Sequence, residues 1–183
     1  MTKYVAFLRG INVGGHKLIK MADLARIFSS LGLKNVKTYI VSGNVLFETP
    51  EQDPAVLTKK IEKGLEKALG YEVAVILRTV AELEEIINLD PFKQLKAGAD
   101  VKKYVTFLSE KHKSKLKVPA LSPKKDWEII QLNPREVFIV AYPVKGRYGE
   151  SMMLVEKEFG KSVTTRNWNT VVKIVALANP SGK

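Results

Sequence analysis

The sequence predicts an α+β fold: two ferredoxin-like βαββαβ units in tandem, closed by a C-terminal helix. Three observations predict it. The apolar run Tyr4-Val5-Ala6-Phe7-Leu8 has no clean polar face, the pattern of a strand buried on both sides. Strand and helix periods then follow in the order βαββαβ as far as residue 77, the ferredoxin-like unit. The same order recurs after residue 101. The expected organisation is a first lobe at 1–78, a helical connector at 79–100, and a second lobe at 101–183 that includes the terminal helix. Between the halves the repeat is read as one of element order, without residue-level identity.

Each element has a local reason. After a glycine-rich loop, Met21, Leu24, Ile27, Phe28 and Leu31 fall at helical spacing, and Gly32 stops that helix. Val36 to Val41 reads as a strand that Ser42-Gly43-Asn44 turns straight into Val45 to Glu48, a tight hairpin. Asp53-Pro54 opens a helix with a cap and a first-turn proline, Leu57, Ile61, Leu65 and Ala68 form its apolar face, and Gly70 ends it. Tyr71 to Leu77 is the fourth strand. Thr79-x-x-Glu82 is a capping box for a helix that Asp90-Pro91 ends, and Phe92 to Asp100 reads as a loop. In the second half, Tyr104 to Leu108 is a strand, Glu110 to Lys117 a short basic helix, and Trp127 to Leu132 a strand. Asn133-Pro134-Arg135 turns into a strand at Glu136 to Tyr142, and Pro143 to Glu150 is a loop. Ser151 caps a helix with Met152, Met153, Val155 and Phe159, ended by Gly160. Ser162 to Thr165 is a short strand, and Asn167 to Ala178 the final helix.

Composition narrows the function. The 183 residues are 45% hydrophobic, enough for a packed interior. There is no cysteine, which removes disulfides, thiolate nucleophiles and Cys-ligated zinc. The two histidines, His16 and His112, are far apart, so no metal and no cofactor are expected. The start lacks a signal-peptide pattern, and no apolar run approaches the ~18 residues of a membrane helix, so the expectation is a cytoplasmic protein without a membrane partner. A net charge of +11 points to acidic partners, phosphorylated molecules or nucleic acid. Only six of the 30 cationic residues are Arg, and Lys is the more strongly hydrated surface charge.

Three polar stretches carry the candidate chemistry. The first is Arg9-Gly10-Ile11-Asn12-Val13-Gly14-Gly15-His16-Lys17, where a glycine-rich turn after a strand presents N–H groups to an anion, or serves as a plain crossover. Its spacing matches neither the dinucleotide fingerprint nor the phosphate-binding loop. The second is Tyr39-Ile40-Val41-Ser42-Gly43-Asn44-Val45, which is hairpin chemistry; Ser42 has no acid or histidine nearby and is not a nucleophile elbow. The third is Thr164-Thr165-Arg166-Asn167-Trp168-Asn169-Thr170, which places Arg166 at the positive end of a helix, a poor position for a cation unless it faces a carboxylate or phosphate.

Leu8-Arg9-Gly10-Ile11-Asn12-Val13-Gly14-Gly15, Thr38-Tyr39-Ile40-x-Ser42-Gly43-Asn44-Val45-x-Phe47 and Thr165-Arg166-Asn167-Trp168-Asn169-Thr170-Val171 resemble the three signature blocks of a bacterial family. It is the one catalogued as domain of unknown function 1697. Val41 departs from the glutamine common there. The resemblance implies a cytoplasmic α+β protein of ferredoxin-like units, and no assigned activity or catalytic residue.

Two functions are expected from these features. The first is a small phosphate- or carboxylate-bearing ligand bound between the lobes by Arg9, Asn12, Gly14, Gly15, Ser42, Asn44, Arg166 and Asn167, with His16 as the nearby group suited to acid–base work. The alternative is a non-catalytic nucleic-acid binder using Lys111, Lys113, Lys115, Lys117, Lys124 and Lys125. A plainer option is an internal hydrogen-bond network that holds the lobes together. An RRM-type surface is disfavoured, because the aromatic-rich motif that stacks bases is absent. Whether there is catalysis, and the oligomeric state, stay open.

Overall fold

The computed structural model describes residues 1–15, 17–95, 100–148 and 152–180, with the side chains of 152–154 left out. The fold is α+β, and the chain divides into two compact units, 1–84 with 174–183, and 85–173.

The first unit opens with β1 (Thr2–Leu8), α1 (Met21–Ser30), β2 (Lys34–Tyr39), β3 (Asn44–Thr49), α2 (Pro54–Leu69) and β4 (Val75–Thr79). The sheet runs β2-β3-β1-β4, every pair antiparallel. Asp53 caps α2 by accepting from the Ala55 and Val56 amides, and Gly70 closes it in a left-handed conformation. Leu24 and Phe28 of α1 and Leu57, Ile61 and Leu65 of α2 bury one sheet face with Tyr4, Ala6, Val45 and Phe47. Each of the Leu, Ile, Val and Phe side chains contributes about 1.5–3 kcal/mol when fully buried. Val5 and Phe7, on the other face of β1, are also buried, as a strand apolar on both sides requires.

β4 starts at Val75, later than its apolar letters suggest. It begins where it first pairs with Leu8, and its first amide donates to the Glu62 carboxylate at 2.9 Å. The Thr79–Glu82 capping box forms in both directions and starts α3 (Val80–Asn88). α3 begins in the first unit and ends in the second.

The second unit carries β5 (Lys102–Leu108), β6 (Ala120–Leu121), β7 (Trp127–Asn133), β8 (Glu136–Ala141), a small hairpin of β9 (Pro143–Val144) and β10 (Arg147–Tyr148), α4 (Met152–Phe159), β11 (Val163–Asn167) and the start of α5 (Trp168–Ala178), whose last residues, from Ile174, belong to the first unit. Its sheet runs β11-β5-β8-β7-β6. The basic helix expected at 110–117 does not form. From Lys111 to Lys117 exposure alternates residue by residue, with the lysines out and His112, Ser114 and Leu116 half-buried. As a helix this segment would set Lys111 against Lys115 and Lys113 against Lys117, like charges at i,i+4, without an apolar stripe to offset the repulsion. The second half therefore lacks the first of the three helices expected in it. Ser151 lies outside the described residues.

The halves also share residues. Lys3-Tyr4-Val5-x-Phe7-Leu8 on β1 is matched by Lys103-Tyr104-Val105-x-Phe107-Leu108 on β5. The pairing follows suit: Val5 sits opposite Leu46 and Arg78, and Val105 opposite Phe138 and Arg166. Two backbone bonds recur as well. Leu8 N donates to Gly43 O at 2.8 Å and Leu108 N to Arg135 O at 2.9 Å; Arg9 N donates to Ala74 O at 2.9 Å and Ser109 N to Ser162 O at 3.1 Å. The expectation that the repeat lay in element order alone is corrected: the crossovers differ in length, so the offset between equivalent residues changes along the chain.

Candidate functional site

In the first unit, the end of β1 is held from both sides, by the hairpin turn through Leu8 N and by the lead-in to β4 through Arg9 N. Asn12, at φ 53°, fastens the loop. Its Nδ2 donates to Val41 O at 2.8 Å and Ile19 O at 3.1 Å, while its Oδ1 accepts from Ile19 N at 2.8 Å. Asn44 is buried, and its Nδ2 donates to Tyr39 O and Ser42 Oγ, both at 3.0 Å. The carboxamide N–H groups of both asparagines thus serve the backbone and the hairpin turn.

Gly43, at φ +78°, is where the loop packs on the turn. A Cβ there would sit 2.6 Å from Ile11 Cδ1 and 2.9 Å from Leu8 Cβ. The tip of the loop, Val13, Gly14 and Gly15, is exposed, as is Val41 of the hairpin. Arg9 is half-buried. His16 lies outside the described residues. Beside Asn12 runs a groove of about 790 Å³ whose lining includes Leu18, Ile19, Ile27 and Leu69, a mostly apolar set.

In the second unit, Arg166 is not at a helix start. The β-branched run Val163-Thr164-Thr165 favours extended chain, so Arg166 lies on β11. Asn167 accepts the Asn169 amide through Oδ1 at 2.9 Å, an N-cap-like bond at the head of α5. Arg166 is 8% exposed, and its Nη1 donates to Thr164 Oγ1 at 2.8 Å and Thr165 O at 2.9 Å. Burial pushes the guanidinium down to about 10. Arg78, on β4, is its counterpart: buried, with Nη1 on Leu77 O at 2.8 Å. Sequence reasoning passed over Arg78. The signal was a lone cation in the apolar strand Val75-Ile76-Leu77, directly ahead of a capping residue, as Arg166 is.

Of the predicted site residues, the first unit brings Asn12, Ser42 and Asn44 to one loop-and-turn junction with Arg9 at its edge. Arg166 and Asn167 belong to the second unit.

The lysine run has a definite geometry of its own. Lys111, Lys113, Lys115 and Lys117 are exposed at alternate positions of a non-helical segment, about 7 Å apart if fully extended. Lys124 and Lys125 are exposed in the turn between β6 and β7, a turn held by Ser122, whose Oγ donates to Asp126 Oδ1 at 2.7 Å and accepts from Asp126 N and Trp127 N. Trp127 is 8% exposed and part of the hydrophobic core, so it offers no stacking surface. Among the described residues no group of three His, Asp or Glu could hold a metal ion, and no helix is long and apolar enough to cross a membrane.

A solved structure is similar along almost the whole chain: the conserved bacterial protein SP0830 from Streptococcus pneumoniae, with a TM-score of 0.69 and 24% identity over 96% of this chain and 98% of that one. At that identity the likeness concerns the fold. No protein of curated function matches significantly. The model of one family matches residues 1–138, which includes the Arg9 and Ser42 blocks and stops short of the Arg166 block. With that stretch being well over half of its length, the chain belongs to the family described as Protein of unknown function (DUF1697).

Proposed function

We propose that this protein binds polyanions, single-stranded nucleic acid foremost, through the row of lysines on the first crossover of its second unit. The observation that carries the reading is the alternation of exposure from Lys111 to Lys117. An extended chain with a cation at every second residue sets its charges along a line, as the phosphates of an extended strand are set. A helix would scatter them around a cylinder. Lysine is suited to this task because a backbone tracker needs charge without the fixed fork that reads a base edge. The net charge of +11 adds a long-range attraction for any such partner.

Fluorescence anisotropy with a labelled single-stranded oligonucleotide at low salt tests it. Wild type binds, and a variant with Gln at 111, 113, 115 and 117 loses at least about tenfold in affinity, as expected for several lost phosphate contacts. Equal affinity of the two proteins defeats the reading.

A second reading is a small phosphate- or carboxylate-bearing ligand held by Arg9 with the backbone of Gly14 and Gly15. What favours it is the exposure of that pair in a turn, where N–H groups are open to an anion. Orthophosphate or citrate would then raise the melting temperature of wild type and leave Arg9→Gln unmoved. No shift in wild type ends it.

A further inference from the structure

We infer that the cavity at the head of the lysine row takes a terminal phosphomonoester, either the end of a nucleic-acid strand or a small phosphorylated molecule. The inference rests on the polyanion reading and adds a specific end to the row. In the first unit the crossover between β1 and β2 carries α1, which packs Leu24 and Phe28 into the core. The second unit keeps the frame and omits that helix. At the start of its crossover, beside the end of α4, lies a cavity of about 540 Å³.

Its lining includes Ser109, Lys111, His112 and Lys113 from the crossover, and Lys161 and Ser162 from the turn ahead of β11. The Ser109 N to Ser162 O bond ties the two sides together at 3.1 Å, which brings two exposed hydroxyl-bearing residues to one place. Two carboxylates also reach the lining, Glu110 and Glu158, and Glu158 accepts a hydrogen bond from Ser114 Oγ. The His112 ring stands edge-on to Phe159, with centroids 5.5 Å apart, and its amide donates to Pro134 O at 2.9 Å. Its Nδ1 is buried and has no hydrogen-bond partner among the described residues, so the fold leaves the hydrogen bonding of this ring incomplete.

Compact cations with rotatable N–H donors, and hydroxyls between them, suit a group with three terminal oxygens and up to two charges. A phosphodiester inside a strand has one charge and a substituent on each side. A monoester has one substituent and fits a recess by its free end. The direction is set as well: Lys111 and Lys113 belong both to the row and to the cavity, whereas Lys115 and Lys117 lie outside the lining. A strand seated by its terminal phosphate would run out along Lys115 and Lys117.

Oligonucleotides with a 5′-phosphate, a 3′-phosphate or no terminal phosphate, and a mononucleotide as competitor, test the inference by anisotropy at fixed salt. A phosphorylated end should bind about tenfold tighter than an unphosphorylated one, the size of one or two charge-assisted hydrogen bonds. Lys161→Gln, an exposed position, should bring that ratio to about one. A double Lys115→Gln, Lys117→Gln variant should weaken both ligands together and keep the ratio. A mononucleotide that competes as well as the phosphorylated oligonucleotide supports the same site with a small-molecule source. Equal affinity for phosphorylated and unphosphorylated ends, with salt dependence intact, overturns the phosphomonoester site and spares the polyanion reading. Absence of binding to every ligand overturns both.

Discussion

Arg166→Ala should lower stability by about 3–4 kcal/mol, the cost of truncating a large buried side chain and leaving hydrogen-bond acceptors without their donor. The acceptors are Thr164 Oγ1 and Thr165 O, on the strand that pairs with β5. Arg166→Met should cost only about 1 kcal/mol, because it keeps most of the volume and removes the charge that burial disfavours. The sign follows from the lowered value. Above about 10 the folded chain begins to release a proton that the unfolded chain still binds, so stability rises with pH there. Below that value the cost of burying the charge is fully present, and the Met variant is relieved of it. Denaturant midpoints at unchanged m-value read both effects. An Ala variant as stable as wild type would remove Arg166 from the fold's support and return it to the ligand site first expected.

Gly43→Ala should cost about 3 kcal/mol, from left-handed backbone strain and an overpacked junction acting together. The two contributions separate by comparison with Gly14→Ala. Gly14 has φ +58° and nothing near its missing Cβ, so its substitution should cost only about 1–2 kcal/mol of strain. At Gly43 the terminal methyl of Ile11 could swing away from a new Cβ, but Leu8 Cβ is attached directly to a paired strand. The excess of Gly43→Ala over Gly14→Ala measures how tightly the loop sits on the hairpin. Equal losses would mean that the turn opens without resistance.

Helix starts were legible wherever the chemistry is local. Asp53 caps α2 and Thr79 with Glu82 caps α3, because a side chain two or three residues away supplies the bond. The segment at 110–117 failed for a reason visible in the letters. Its period is two, and a count of lysines hides that while a check of what lies between them does not. Arg166 failed differently. Its neighbours Thr164 and Thr165 hold strand conformation and Asn167 sits at the head of the helix, so a one-residue shift moved the cation from a helix end to a buried strand position.

The match of Lys3-Tyr4-Val5-x-Phe7-Leu8 to Lys103-Tyr104-Val105-x-Phe107-Leu108 was present in the sequence and went unread, because unequal crossovers destroy a constant period. The candidate site was legible as three polar stretches but not in its roles. Asn12 and Asn44 look like ligand donors in a sequence, and only the positions of Val41, Ile19 and Tyr39 carbonyls show that the backbone takes their hydrogen bonds. The cavity at Lys161 could not be read at all, since it follows from a helix that the second unit omits.

The slope of log affinity against log salt for a single-stranded oligonucleotide tests the role of the lysine row most directly. Four lysines on single-strand phosphates give wild type a slope of about −3, at roughly 0.7 per contact. The variant with Gln at 111, 113, 115 and 117 should fall close to zero. A flat wild-type response, or a variant with the same slope as wild type, would contradict it.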